Sequence, residues 1–102
     1  MKYITTVEKA IEEIETLQEF VFLAKRYDAK SLDQKIIKEY AYRGSISEVV
    51  KVLNSERSNT GFEEVDSSYV SSVIKSKPSD PLHKIIKTSY LKRTRHVRRK
   101  NN

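Results

Sequence analysis

The stretch LDQKIIKEYAYRGSISEVVKVLNSERSNTGFEEVDSSYVSSVIKSK, residues 32–77, decides the fold. It divides into three short helical segments: one closing at Gly44, one closing at Asn54 and one opening near Asp66. Ser31-Leu32-Asp33-Gln34 has the spacing of a capping box, in which a hydroxyl and an amide three residues on satisfy orphan backbone donors. Leu32, Ile36, Ile37, Tyr40 and Ala41 then fall on one face, and Gly44 supplies the left-handed residue that ends a helix cheaply. Ser45-Ile46-Ser47-Glu48 repeats the capping spacing, with Ile46, Val49, Val50 and Leu53 turned inward. Residues 54–61, NSERSNTG, read as a loop by composition. Phe62 and Val65 are expected to close that loop over the core as a short β-hairpin. Asp66 then caps a helix with Val70, Val73 and Ile74 inside and Ser67, Ser68, Ser71, Ser72 and Lys75 outside.

Working outward, residues 3–27 contain no Gly or Pro. Ile4, Val7, Ile11, Ile14, Leu17, Val21 and Ala24 recur at steps of three and four, an amphipathic helix. Its glutamates, Glu8, Glu12, Glu13, Glu15 and Glu19, lie toward the N-terminal side, and Lys25 and Arg26 close it, an order that complements the helix dipole. The stripe serves either to brace the following helices, the preferred reading, or to form a homodimer through residues 4–24, since it also fits a heptad seam broken at Gln18. On the other side, SKPSDP at 76–81 is the clearest break in the chain. Asp80 as N-cap with Pro81 in the first turn starts a last helix carrying Leu82, Ile85, Ile86, Tyr90 and Leu91. The expected organisation is an N-terminal amphipathic helix (1–30), a three-helix unit (31–77), a C-terminal helix (78–91) and a basic tail (92–102), either flexible or a frayed extension of the last helix.

Composition narrows the chemistry. Hydrophobic residues make up 37% and charged residues 33%, so the core is small. Two glycines and two prolines in 102 residues favour helices over many short strands. The absence of cysteine removes disulfides, thiolate metal sites and a cysteine nucleophile. Residues 1–20 do not form a secretory signal, and no apolar run reaches the roughly 18 residues of a membrane span. A cytoplasmic protein with no membrane partner is the expectation. His83 and His96 have no partner at metal-binding spacing, and no nucleophile elbow or glycine-rich phosphate loop is present, so neither an enzyme nor a cofactor is expected.

The net charge of +6 is unevenly placed. Residues 1–80 carry twelve basic and fourteen acidic side chains, a net of −2, whereas residues 81–102 carry eight basic side chains and no acid. A near-neutral body with a cationic end suits a polyanion-binding arm.

Residues 46–75 resemble the helix-turn-helix at the C-terminal side of serine recombinases and small phage regulators. The matching positions are Val49, Val50, Leu53-Asn54, Gly61, Phe62, and Val70 with Val73-Ile74, about a third of the chain. The family usually has basic residues and a Trp before its last helix, where this chain has the acidic Phe62-Glu63-Glu64-Val65. The resemblance implies an all-α fold: a small homeodomain-like core of three helices with extra N- and C-terminal helices and a basic tail. It implies a stand-alone DNA-binding module whose last helix enters the major groove.

On that reading the DNA-binding residues are Ser67, Ser68, Tyr69, Ser71, Ser72, Lys75 and Lys77, together with Lys92, Arg93, Arg95, Arg98, Arg99 and Lys100. Serine reads bases with little discrimination, and the Arg and Asn of bidentate base contacts are missing from 67–77. Lys35, Lys38, Arg43 and Lys51 are candidate flanking phosphate contacts. The expected function is duplex DNA binding by a small transcriptional or replication regulator of phage or mobile-element type. The rival is a protein-interaction module that inhibits or recruits a polymerase, initiator or nuclease. A third reading is an RNA- or ribosome-associated basic protein.

Overall fold

The structure is a computed structural model that describes residues 6–95. Five helices follow in order: α1 (Val7–Arg26), α2 (Leu32–Arg43), α3 (Ile46–Thr60), α4 (Ser67–Lys75) and α5 (Pro81–Arg93). The fold is all-α, and no helix among the described residues is long and apolar enough to cross a membrane.

Local chemistry accounts for the helix ends. Ser31 Oγ accepts the Gln34 amide at 3.1 Å while Gln34 Oε1 accepts the Ser31 amide at 3.0 Å, so the capping box is closed in both directions. Ser45 accepts the Glu48 amide, Asp66 the Tyr69 amide and Asp80 the His83 amide. Gly44 (φ +67°) and Gly61 (φ +81°) terminate α2 and α3 in the left-handed region, where a side chain would strain the backbone.

Helices α2, α3 and α4 pack pairwise, α5 lies across α2 and α4, and α1 rests on α5 and α2. The core is Ile36, Ile37 and Tyr40 of α2, Val49 and Leu53 of α3, Val70, Val73 and Ile74 of α4, Leu82 and Ile86 of α5, and Ala24 of α1. Each fully buried Val, Leu or Ile contributes about 1.5–3 kcal/mol relative to exposure. Among the polar side chains described, His83 alone is buried. Asp80 accepts a hydrogen bond from its backbone amide in the N-cap at 2.8 Å, and the ring meets the Ile74 carbonyl of α4.

Three expectations are corrected. Residues 54–60 are not a loop: α3 continues to Thr60 and stops at Gly61. No strand forms among the described residues, and Phe62, expected over the core, is 65% exposed, while Val65 is partly buried against the core. The last helix, expected to end at residue 91, extends two residues further, through Lys92 and Arg93.

The fourth correction concerns α1. Val7, Ile11, Ile14, Leu17 and Val21, expected to pack inward, are all exposed, from 47% to 75%. The helix is held instead by Phe20, Leu23, Ala24 and the following Tyr27. Tyr27 anchors this end. Its hydroxyl donates to Asp80 Oδ2 at 2.6 Å, and its carbonyl accepts Lys38 Nζ at 2.6 Å.

Candidate nucleic-acid interface

Helix α4 is nine residues long and turns Val70, Val73 and Ile74 into the core. This leaves Ser67, Ser68, Ser72 and Lys75 exposed along its outer side. The Ser72 hydroxyl donates back to the Tyr69 carbonyl at 2.7 Å, so its lone pairs face outward as acceptors. Ser71 differs from its neighbours: its hydroxyl shares a hydrogen bond with the Tyr90 hydroxyl of α5 at 3.1 Å in a part-buried position. Tyr69 is 41% exposed, and its hydroxyl donates to the Asp33 carboxylate of α2. That hydrogen bond, aided by burial, raises the Tyr69 pKa.

Charge is graded along α4. Glu63, Glu64 and Asp66 are exposed before its N-terminus, and Asp33 stands beside Tyr69. Lys75 and Lys77 are exposed at its C-terminal end. Helix N-termini ordinarily favour phosphate, but here Asp66 occupies the cap with its own carboxylate. A polyanion is therefore repelled from the start of α4 and attracted to its end.

The remaining basic residues divide into two groups. Arg93 Nη1 donates to the Gly44 carbonyl at 2.7 Å and to the Tyr40 hydroxyl at 3.2 Å, with the guanidinium 5.8 Å from the Tyr40 ring. It closes the C-terminus of α2 from 49 residues away, a structural task its tail-like surroundings conceal. Lys38 is committed to Tyr27, and Arg43 pairs with Glu39 at 2.7 Å. Lys35, Lys51, Lys92 and Arg95 are exposed. Arg98, Arg99 and Lys100 lie outside the described residues, as do Ile4 and His96.

The loop before α4 is held by side chains that composition assigned to the loop itself. Asn54 of α3 donates Nδ2 to the Val65 carbonyl at 2.9 Å and accepts the Val65 amide on Oδ1 at 2.7 Å. Arg57 Nε donates to the Glu63 carbonyl, and its guanidinium lies 5.4 Å from the Phe62 ring. The connection from α3 to α4 spans residues 61–66, longer than the three or four residues of a tight helix-turn-helix.

Sequence reasoning missed His83. It is 3% exposed; Nδ1 accepts the Ser79 amide at 3.3 Å and Nε2 meets the Ile74 carbonyl at 3.1 Å. Both nitrogens are used by backbone, which makes it a tie between α4 and α5 with no valence left for a ligand. Its signal was position: it follows the inward Leu82 and sits three residues after the Asp80 cap. The two tyrosines of α2 part company in their burial. Tyr40 is buried edge-on to Tyr90 at 6.0 Å, whereas Tyr42 is exposed. Burial raises the Tyr40 pKa against the opposing Arg93 charge.

A comparison of the chain with protein-family models, curated proteins and solved structures finds no match.

Proposed function

We propose that the protein is a non-enzymatic duplex DNA-binding protein, a small regulator of transcription or replication of the phage or mobile-element type. The observation that carries this reading is α4. A short helix is seated on three others by Val70, Val73 and Ile74, with Ser67, Ser68, Ser72 and Lys75 left outward. The α2–α3–α4 arrangement supports a three-helix unit of helix-turn-helix type with α4 as the reading element. The charge gradient refines the pose: the C-terminal half of α4, with Lys75 and Lys77, faces the phosphates, and the acidic residues 63–66 stay off the backbone. Lys92 and Arg95 extend the cationic surface, and Arg98, Arg99 and Lys100 add the tail's charge. Specificity then rests less on hydroxyl-to-base contacts than on DNA shape and spacing.

The test is fluorescence anisotropy with duplex DNA, single-stranded DNA and RNA of equal length over a salt series. The expected result is a preference for duplex and a steep salt dependence. The double variant Ser68→Glu/Ser72→Glu should abolish binding while keeping the helical CD spectrum, because both side chains are exposed. Unchanged affinity in that variant would refute α4 as the reading element.

One observation favours a second reading, a protein-interaction module: the apolar side of α1 is uncovered. On that reading the protein binds through α1, and its basic end is secondary.

A further inference from the structure

Nine large hydrophobic residues are exposed among the described residues, and six of them belong to α1: Val7, Ile11, Ile14, Leu17, Val21 and Phe22. From Val7 to Glu19 every residue except Ala10 is exposed, so more than half of α1 is left mostly uncovered by the body it is attached to. A helical segment of that length is marginal in water without tertiary contacts. Val7, Ile11, Ile14 and Val21 form a seam spaced at three and four, with Gln18 between the last two and Lys25 after them. At 100° per residue this seam lies roughly 150° around the helix from Phe20, Leu23, Ala24 and Tyr27, which hold α1 to the body. The body therefore does not block it.

We infer that this face is covered by α1 of a second copy, running antiparallel, so that the protein is a homodimer. Charge selects both the occupant and its direction. Residues 7–16 carry Glu8, Glu12, Glu13 and Glu15 against Lys9, while residues 17–26 carry Lys25 and Arg26 against Glu19. A parallel pair sets acid on acid and base on base. An antiparallel pair sets each acidic half on the partner's basic half, as does the opposition of the two helix dipoles. Pairing about a midpoint at Thr16 places Ile11 opposite the partner's Val21, Ile14 opposite the partner's Gln18, and Lys25 beside the partner's Val7 and Glu8. The shallow apolar depression lined by Ile14, Leu17, Gln18, Val21, Phe22 and Lys25 then receives the partner's Ile11 and Ile14. Glu15 meets its own counterpart at the centre, the one like-charge contact this register imposes. The dimer does not depend on the DNA reading, and its test contains no nucleic acid.

Sedimentation equilibrium of the full chain is expected to show a monomer–dimer equilibrium. Ile14→Glu should raise the dissociation constant by at least about tenfold. Because Ile14 is 55% exposed in the monomer, the CD spectrum of the body should persist. Lys25→Glu/Arg26→Glu should also weaken the dimer, and adding Glu8→Lys/Glu12→Lys to the same chain should restore it. A protein that stays monomeric, or dimerises unaffected by Ile14→Glu, overturns the proposal. A dimer unchanged or tightened by Lys25→Glu/Arg26→Glu overturns the antiparallel direction.

Discussion

Asn54→Ala tests the most consequential correction to the sequence reading, that the end of α3 organises the approach to α4. The Asn54 amide makes two hydrogen bonds to the backbone of Val65, at 2.9 and 2.7 Å, in a part-buried position. Each is worth about 0.5–1.5 kcal/mol net, so together they contribute ~2 kcal/mol. Alanine recovers ~0.5 kcal/mol through better helix propensity. The net destabilisation is ~1.5 kcal/mol, which for a domain of this size lowers Tm by roughly 6–12 °C. Thermal CD measures it, and amide hydrogen exchange locates it: the Val65 N–H loses its acceptor and should exchange faster than the amides of Val70 and Ile74. Asn54→Asp, which keeps the acceptor and loses the donor, should fall between the parent and Asn54→Ala. A melt within about 2 °C of the parent, or unaltered protection at Val65, would refute the clamp and with it the account of how α4 is held at its angle.

Tyr27→Phe removes the hydroxyl bonded to Asp80 and should cost about 1 kcal/mol. Burial first, then the Asp80 hydrogen bond and charge, raise the Tyr27 pKa above its ordinary 10.0. A raised folded-state value means the native protein holds the phenol proton more tightly than the unfolded chain. Its contribution is full below pH 10.0 and is lost as pH rises toward the folded value. Denaturant melts should therefore show stability falling above pH 10.0, less steeply in Tyr27→Phe; equal slopes in the two proteins would contradict the assignment. Tyr40 and Tyr69, shifted the same way, leave a residual slope. Truncation after Arg95 spares Tyr90 and Arg93, so melting should be unchanged. It removes Arg98, Arg99 and Lys100 and should lower the log–log salt slope for duplex binding by up to about 2.7, at ~0.9 per phosphate contact. An unchanged slope would assign the phosphate contacts to the helical body.

What was legible in the sequence was whatever local chemistry encodes. Ser31 with Gln34, Gly44, and Asp80 with Pro81 each act on backbone groups within four residues, and they marked helix ends correctly. The inward faces of α2, α4 and α5 followed from apolar spacing. Residues 54–60 were illegible because their polar composition has two meanings. Ser55, Glu56, Ser58, Asn59 and Thr60 are exposed, and an established helix extends through such residues at little cost until a glycine stops it. Arg93 was illegible for a different reason. A basic residue next to other basic residues looks solvated, and its acceptors at Gly44 and Tyr40 lie 49 and 53 residues away. For the interface this means that a count of charges overstates what is free to meet a polyanion. Arg93, Lys38 and Arg43 already have structural partners, while Lys75, Lys77, Lys92 and Arg95 are exposed.

Helix α1 shows what periodicity can and cannot establish. The helix carries two apolar stripes. Val7, Ile11, Ile14 and Val21 form the longer, and Phe20, Leu23, Ala24 and Tyr27 form a shorter one near the C-terminal end. Spacing identifies the longer stripe as an apolar face but is silent on what, within the chain or outside it, would cover it. The body uses the shorter stripe because only the C-terminal end of α1 is tied down, through Tyr27, to Asp80 and Lys38. Once that end is fixed against α2 and α5, helix geometry turns the longer stripe to the opposite side. Bracing uses one face of this helix, and the opposite apolar face is left exposed, the face on which the proposed self-association rests. Placing Glu at Phe20 should weaken the fold itself, whereas placing it at Ile14 should leave the monomer's stability nearly unchanged and act on assembly. If both substitutions lower monomer stability equally, the two-face account of α1 fails.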